Sequence, residues 1–166
     1  MHTMIPVERE EKYMSNNRQG NGEFNANMSR FAKTDYGPEP FTANIEKVAE
    51  KNTFYRSAFW TGDCLQMTLM CIPVGGDIGV EMHSDTDQFI RVEQGQGMVI
   101  MGTSKEHMSY RCRLLKGDGV FIPKCTWHNI INTGKCPLKL SSIYAPPHHP
   151  KGTIHQTKKD SEQSGY

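Results

Sequence analysis

Short apolar segments separated by turn residues fill most of the chain between Phe54 and Tyr144. They recur at intervals of roughly eight to twelve residues, and Gly, Asn and Asp mark the turns between them. No long helical pattern alternates with these segments, which disfavours a parallel α/β sheet. The pattern therefore predicts an all-β, antiparallel sandwich or barrel, and a double-sheet jelly roll fits it best.

The two ends of the chain differ in composition from this central part. Residues 1–39 are rich in Asn, Gly and Ser and lack an apolar period, so they are expected to form a flexible N-terminal segment. Residues 40–147 form the predicted β-barrel domain, which begins with a short helix that Asn44 would cap. Residues 148–166 are expected to be a polar tail that runs over the surface and frays, with His148, His149 and His155 at the surface.

Charge and hydropathy narrow the classes of partner. The formal net charge is +1, and the sequence has no basic stripe, so no nucleic-acid partner is expected. No apolar run approaches eighteen residues, so no membrane association is expected, and a cytoplasmic location is the default. The five cysteines are odd in number and lack Cys-x-x-Cys spacing, which argues against a disulfide framework.

Four polar residues in the stretch from Gly75 to Asn132 are candidates for a metal site. Glu81 and His83 are two residues apart and would share one face of a strand. Gln88 begins the next apolar segment, and His128 follows a second Gly-bounded turn. Two imidazole nitrogens and two oxygens are a suitable ligand set for a divalent metal with open coordination positions.

The spacing of this stretch resembles the two conserved motifs of the cupin family. In the first, Gly75 is followed after five residues by Glu81-Met82-His83, then by Gln88 and Gly95. In the second, Gly117, Pro123, His128 and Asn132 fall at the family's spacings. Glu81, Gln88 and Cys125 stand where the family has His, Glu and Gly. The resemblance implies a double-stranded β-helix (jelly-roll) cupin barrel that binds a divalent metal, with zinc, iron, manganese and nickel all open as its identity.

The resemblance also implies a function. Phosphomannose isomerases, which are cupins, hold zinc with Gln, two His and Glu, and this chain has the same ligand types with the Gln and Glu places exchanged. We therefore expect a small-molecule ligand, and a metal-dependent isomerase that acts on a sugar or sugar phosphate ranks first. A non-catalytic small-molecule binding cupin and a non-haem metal dioxygenase are the alternatives.

Further residue roles and the oligomeric state are also predicted. Glu81 could act as a metal ligand or as a catalytic general base beside the metal. Arg56, Arg91 and Lys139 would bind an anionic substrate if they pointed inward, but charged strand residues usually face solvent. Because exposed jelly-roll strands often pair between subunits, a homodimer is expected.

Overall fold

The computed structural model describes residues 35–165, which fold into two antiparallel sheets and two short helices. The helices are α1 (Ile45–Lys51) and α2 (Lys158–Ser164). The strands are β1 (Arg56–Thr61), β2 (Gln66–Ile72), β3 (Asp87–Gln94), β4 (Gln96–Gly102), β5 (Tyr110–Leu115), β6 (Gly119–Ile122), β7 (Trp127–Asn132), β8 (Leu138–Ala145) and β9 (Ile154–His155).

The two sheets together form the predicted jelly roll. One sheet has six strands in the order β6-β3-β8-β2-β1-β9, and the other has three in the order β5-β4-β7. Every pairing between these strands is antiparallel. The prediction of an all-β, antiparallel jelly roll from short strands at regular spacing is therefore confirmed.

An apolar core lies between the sheets and receives side chains from both of them. Its buried members are Tyr55, Met70, Ile72, Ile78, Ile90, Val92, Val99, Leu114, Val120, Ile122, Ile130, Leu138 and Leu140. Burying one such large side chain contributes about 1.5–3 kcal/mol, so this core is the main favourable term in folding.

The side of β2 that faces the core also carries polar residues. Met70 and Ile72 belong to the core, and Gln66 and Thr68, which have the same parity along the strand, are fully buried. The interior of the barrel is thus apolar toward one end of β2 and polar toward the other. A polar interior needs partners for its buried groups, which marks this end as the place for a site.

The short helix predicted before the first strand is present as α1. Asn44 caps it by accepting a hydrogen bond from the Lys47 amide through its side chain, as expected. Val48 and Ala49 are buried, and α1 lies against β2, β3 and β8. Asn52, which follows the helix, accepts a hydrogen bond from the buried Lys139 ammonium through its carbonyl oxygen. The Lys139 ammonium therefore binds the C-terminal end of α1.

The C-terminal segment is ordered, and the expectation that it frays over the surface is wrong. Strand β9 pairs with β1, and α2 begins with a capping box between Thr157 and Asp160. His149 and His155 are buried, so the expectation that they are surface residues is also wrong. The charged and proline-rich composition concealed this because the segment is held by polar contacts with the barrel and not by a hydrophobic stripe.

The N-terminal prediction is tested over a few residues only, because residues 1–34 lie outside the described residues. Residues 35–39 pack on β1, contrary to the expectation for this part of the segment. The Tyr36 ring stacks on Phe41 with centroids 4.2 Å apart, and the Asp35 carboxylate accepts a hydrogen bond from Thr61 at 2.6 Å.

Asn132, the last residue of the second motif, has a structural role. Its side-chain amide nitrogen lies 3.0 Å from the Ile72 carbonyl oxygen, 3.1 Å from that of Pro73 and 2.9 Å from that of Cys136. Its side-chain oxygen accepts a hydrogen bond from the Gly134 amide at 2.9 Å. Asn132 thus joins the end of β7 to the end of β2.

We expect Asn132→Ala to lower the free energy of unfolding by about 2–4 kcal/mol, because several buried backbone groups would lose their partner. Urea denaturation followed by circular dichroism measures this change. The matched control is Thr133→Ala, whose exposed side chain should change stability by less than about 0.5 kcal/mol. Equal stability of the two variants would contradict the assignment.

Candidate metal centre

Glu81 and His128 are brought together by an isolated bridge between their backbones. The Glu81 amide donates to the His128 carbonyl oxygen at 3.0 Å, and the His128 amide donates to that of Glu81 at 2.9 Å. The prediction that a regular strand carries Glu81 and His83 is wrong, since this part of the chain contains only isolated bridges. Tight turns at glycines before Glu81 interrupt the pairing of this segment with a neighbouring strand. The bridge to β7 nevertheless holds Glu81 beside the second motif.

Three of the four predicted ligands converge. Glu81 Oε1 lies 3.6 Å from His83 Nε2 and 3.4 Å from His128 Nε2. Each residue offers one ligand atom, and these atoms lie within 4.8 Å of one another. His83 is 7% exposed and His128 is fully buried, so the cluster lies inside the barrel.

The tautomer of His128 is set by its own backbone surroundings. Its Nδ1 lies 2.9 Å from the carbonyl oxygen of Thr126, which can only accept a hydrogen bond. Nδ1 therefore carries the proton and donates it, and the lone pair of Nε2 points toward Glu81. A carbonyl that holds the far ring nitrogen in this way is the usual support for a metal-binding histidine.

Gln88 lies on the interior side of β3, with Ile90 and Val92 of the core on the same side. Its amide nitrogen donates to Ser142 Oγ at 2.9 Å, which leaves its amide oxygen free to act as an acceptor. In the sheet it is paired with Tyr144, whose ring centroid is 5.7 Å from that of His83. Gln88 is thus on the correct face, and its role as a fourth ligand stays a prediction.

The four predicted ligand atoms share one property that a metal would explain. Each is buried and has no hydrogen-bond partner among the residues that the structure describes: Glu81 Oε1, His83 Nε2, Gln88 Oε1 and His128 Nε2. Leaving one buried polar atom unsatisfied costs about 1–3 kcal/mol. A divalent cation would satisfy all four at once, and this mixture of nitrogen and oxygen donors suits zinc, iron, manganese or nickel. The residues present therefore fit a metal ion.

The Glu81 carboxyl is held in its charged form. Burial alone would raise its pKa, but the contacts with His128 and His83 and the positive charge of Arg56 hold the pKa well below its usual range. An ionised carboxylate between two imidazole nitrogens is a good metal ligand. The same low pKa makes it a weak general base, so the geometry favours the first of the two roles predicted for Glu81.

Arg56 is a site residue whose position sequence reasoning did not predict. It was expected to face solvent, but it points into the barrel and is 1% exposed. Its Nη1 donates to Ser161 Oγ of α2 at 2.8 Å, and its Nη2 lies 3.8 Å from Glu81 Oε2. Arg56 is paired with the core residue Met70 across β1 and β2. This pairing shows that Arg56 faces inward, but it cannot be deduced from the sequence of β1 alone.

Two histidines of the C-terminal segment also reach the site. The His148 ring is half-buried with its centroid 4.1 Å from that of His83, and the His149 ring lies 5.0 Å from that of Tyr144. Gln66 fixes this segment, because its side-chain oxygen accepts from the His149 amide and its nitrogen donates to the His149 carbonyl oxygen. Burial, and next the charge of Arg56, lower the pKa of His149 to about 2, so this ring is neutral.

Cys125 occupies the position where the second cupin motif has its inner glycine. Its φ is +64°, a left-handed conformation that glycine adopts at low cost and other residues adopt rarely. Its amide donates to the His83 carbonyl oxygen at 2.6 Å, so the turn fixes the backbone of His83. The side chain is exposed, and its sulfur lies 3.5 Å from the Ser84 carbonyl oxygen. Cys125 therefore supports the site through its backbone.

A separate groove lies on the outer face of the six-stranded sheet. Its apolar lining includes Phe89, Phe121, Pro123 and Ile143. Phe121 is 77% exposed and stands on the edge strand β6. Gln88 also lines the groove, but Glu81, His83 and His128 do not, so the interior cluster is the better candidate for chemistry. The predicted homodimer stays a prediction.

Comparison with known proteins shows which family this chain belongs to. A model of the cupin domain matches residues 68–144. YrkC of Bacillus subtilis (strain 168) is 51% identical over 127 residues, which cover 76% of this chain and 68% of that protein. The L612 protein of Acanthamoeba polyphaga mimivirus is 36% identical over 126 residues, which cover 75% of this chain and 77% of that protein.

A solved structure is also similar to this chain in both sequence and fold. The crystal structure of BH2720 from Bacillus halodurans is 51% identical, has a TM-score of 0.78, and covers 78% of this chain and 98% of that one. Among residues 35–165, neither helix is long and apolar enough to cross a membrane. With the jelly-roll fold, the two motif spacings and these relatives taken together, the chain belongs to the cupin superfamily.

Proposed function

We propose that this cupin is a metal-dependent enzyme that isomerises a small sugar or sugar phosphate, with the metal held by Glu81, His83, Gln88 and His128. The observation that supports the metal most directly is that all four ligand atoms are buried without a hydrogen-bond partner among the described residues. When bound, a divalent metal would act as a Lewis acid toward the carbonyl and hydroxyl oxygens of the substrate. The neutral Gln88 would offset less of the metal's charge than a glutamate does, which favours this polarisation.

The remaining residues divide the other tasks between them. The Glu81 carboxylate is held in its ionised form and would bind the metal through Oε1, while Oε2 faces Arg56. His148 stands beside His83 and is half-buried, and in this proposal it moves a proton between adjacent carbons of the substrate. Burial, and next the neighbouring His83, lower the pKa of His148, which keeps its ring neutral and able to accept a proton at neutral pH.

The C-terminal segment supports this arrangement by limiting the access of water. Gln66 anchors it at His149, and the Lys158 ammonium forms an ion pair with Asp77, which precedes the first motif's ligands. Exclusion of water would strengthen electrostatic interactions with the substrate, because it would lower the local dielectric constant. The predicted cytoplasmic location is compatible with five free cysteines, and it stays a prediction.

The metal assignment predicts the metal content of variants. Protein prepared without a metal-affinity tag should contain about one divalent ion per chain by elemental analysis, and His128→Ala should lose it while remaining folded. The matched control is His107→Ala, since His107 is a polar-turn histidine on the surface, and its metal content should equal that of the original protein. Full metal occupancy in His128→Ala would contradict the assignment.

The isomerase assignment predicts exchange of a carbon-bound proton with solvent. We expect metal-loaded protein in heavy water to place deuterium at the carbon beside the carbonyl of one or more compounds in a panel of sugars and sugar phosphates. His148→Ala should retain the metal but lose at least about tenfold in exchange rate, because general base catalysis typically contributes 10²–10⁴-fold. Glu81→Gln should lose metal and exchange together.

The outcomes separate the competing functions. If no sugar exchanges but the iron-loaded form consumes oxygen when a ligand is added, the isomerase is wrong and a dioxygenase replaces it. If both assays are silent and a ligand still raises the melting temperature, the protein is a binding module. Loss of exchange in the control His107→Ala would show that the effect of His148→Ala is not specific to the site.

A further inference from the structure

The guanidinium of Arg56 has a polar edge with no hydrogen bond. Nη1 donates to Ser161 Oγ at 2.8 Å, and the Tyr144 hydroxyl also interacts with the guanidinium. Nε is buried and has no hydrogen-bond partner among the described residues. Nη2, which shares an edge with Nε, lies 3.8 Å from Glu81 Oε2, too far for a hydrogen bond. The Nε–Nη2 edge can bind a carboxylate or phosphate group with two parallel hydrogen bonds.

The direction of this edge matters for the chemistry. Since Nη2 approaches Oε2 of Glu81 and the other carboxylate oxygen faces the two imidazoles, the edge borders the candidate metal site. Ser161 holds the opposite side of the guanidinium and fixes its plane. A group bound on the Nε–Nη2 edge would therefore lie beside the metal.

Charge balance points to the same conclusion independently. Arg56 is fully buried and positively charged, and the carboxylate of Glu81 is the acidic group that lies beside it, 3.8 Å from its Nη2. The amide of Gln88 is neutral, and histidines bind metals as neutral ligands. A divalent ion in this site would leave its two positive charges unbalanced in a low-dielectric interior, which is costly unless an anion accompanies it.

We propose that the substrate carries an oxyanion, either a carboxylate or a phosphate group, which Arg56 binds through its Nε–Nη2 edge next to the metal. This inference rests on the proposed metal site and deepens it, because it specifies the charge of the substrate. Neutral sugars would then be poor ligands, and sugar phosphates or sugar acids would be good ones. Arg91, by contrast, is half-exposed and pairs with Glu93 at 2.5 Å, so it serves no such role.

The test compares charged and neutral probes on zinc-loaded protein by isothermal titration calorimetry. The probes are acetate, inorganic phosphate and the neutral acetamide, which resembles acetate in shape. We expect acetate or phosphate to bind at least about tenfold more tightly than acetamide, because a charge-assisted bidentate contact is worth that much or more. The stronger of the two anions identifies which oxyanion the site prefers.

Two substitutions of Arg56 separate charge from geometry. Arg56→Lys keeps the charge but lacks the two-donor edge, and we expect it to weaken oxyanion binding about tenfold. Arg56→Met removes both and should weaken it about a hundredfold. Arg91→Lys is the matched control and should bind all three probes as the original protein does. If Arg56→Met does not fold, the comparison of Arg56→Lys with Arg91→Lys decides the question.

Metal content is measured on every sample before titration, so the two proposals fail in different ways. Absence of metal from the original protein contradicts the proposed function. Full metal occupancy with oxyanion binding that is equal in Arg56→Lys, Arg56→Met and Arg91→Lys contradicts the role of Arg56 alone. Equal affinity for acetate, phosphate and acetamide in the original protein contradicts it as well.

Discussion

The interaction on which the site depends is the enclosure of the Glu81 carboxylate between two imidazoles and a guanidinium. One oxygen lies 3.6 and 3.4 Å from the two histidine nitrogens, and the other lies 3.8 Å from Arg56. Burial of a carboxylate is costly, and here the surrounding donors and charge more than offset that cost, since the pKa of Glu81 is held low. The barrel interior therefore contains a charged cluster in which several polar atoms have no hydrogen-bond partner among the described residues. A bound cation and a bound anion together would give these atoms partners.

Each part of the fold contributes to this cluster. The bridge between Glu81 and His128 joins the two motifs, and the left-handed turn at Cys125 supports His83 through its carbonyl group. Strand β1 supplies Arg56, and α2 orients it through Ser161. The C-terminal segment is thus part of the site and not an appendage, because the barrel alone would leave the guanidinium without its fixed partner.

How much of this could be predicted from the sequence depends on whether the signal was local. The strand pattern and the two motif spacings predicted the jelly roll and brought Glu81, His83 and His128 together correctly. The inward position of Arg56 was not predicted, because it depends on which strands pair. The alternation of residues along one strand does not show which of its two faces lies inside the barrel. The C-terminal segment was missed because its contacts, such as Gln66 with His149 and Arg56 with Ser161, are polar and distant in sequence. The strand expected around Glu81 was absent because alternation predicts facing without ensuring a hydrogen-bonded neighbour.

The most direct test of the account is a crystal structure of the protein soaked with zinc, with diffraction measured on both sides of the zinc absorption edge. We expect one anomalous peak at about 2.0–2.2 Å from His83 Nε2, His128 Nε2 and Glu81 Oε1, the usual zinc–ligand distances. Ordered density for an acetate or phosphate ion on the Nε–Nη2 edge of Arg56 would support the proposed oxyanion site as well. A peak elsewhere, or none in the barrel while Glu81 forms a direct ion pair with Arg56, would contradict the central claim that this cluster is a metal centre.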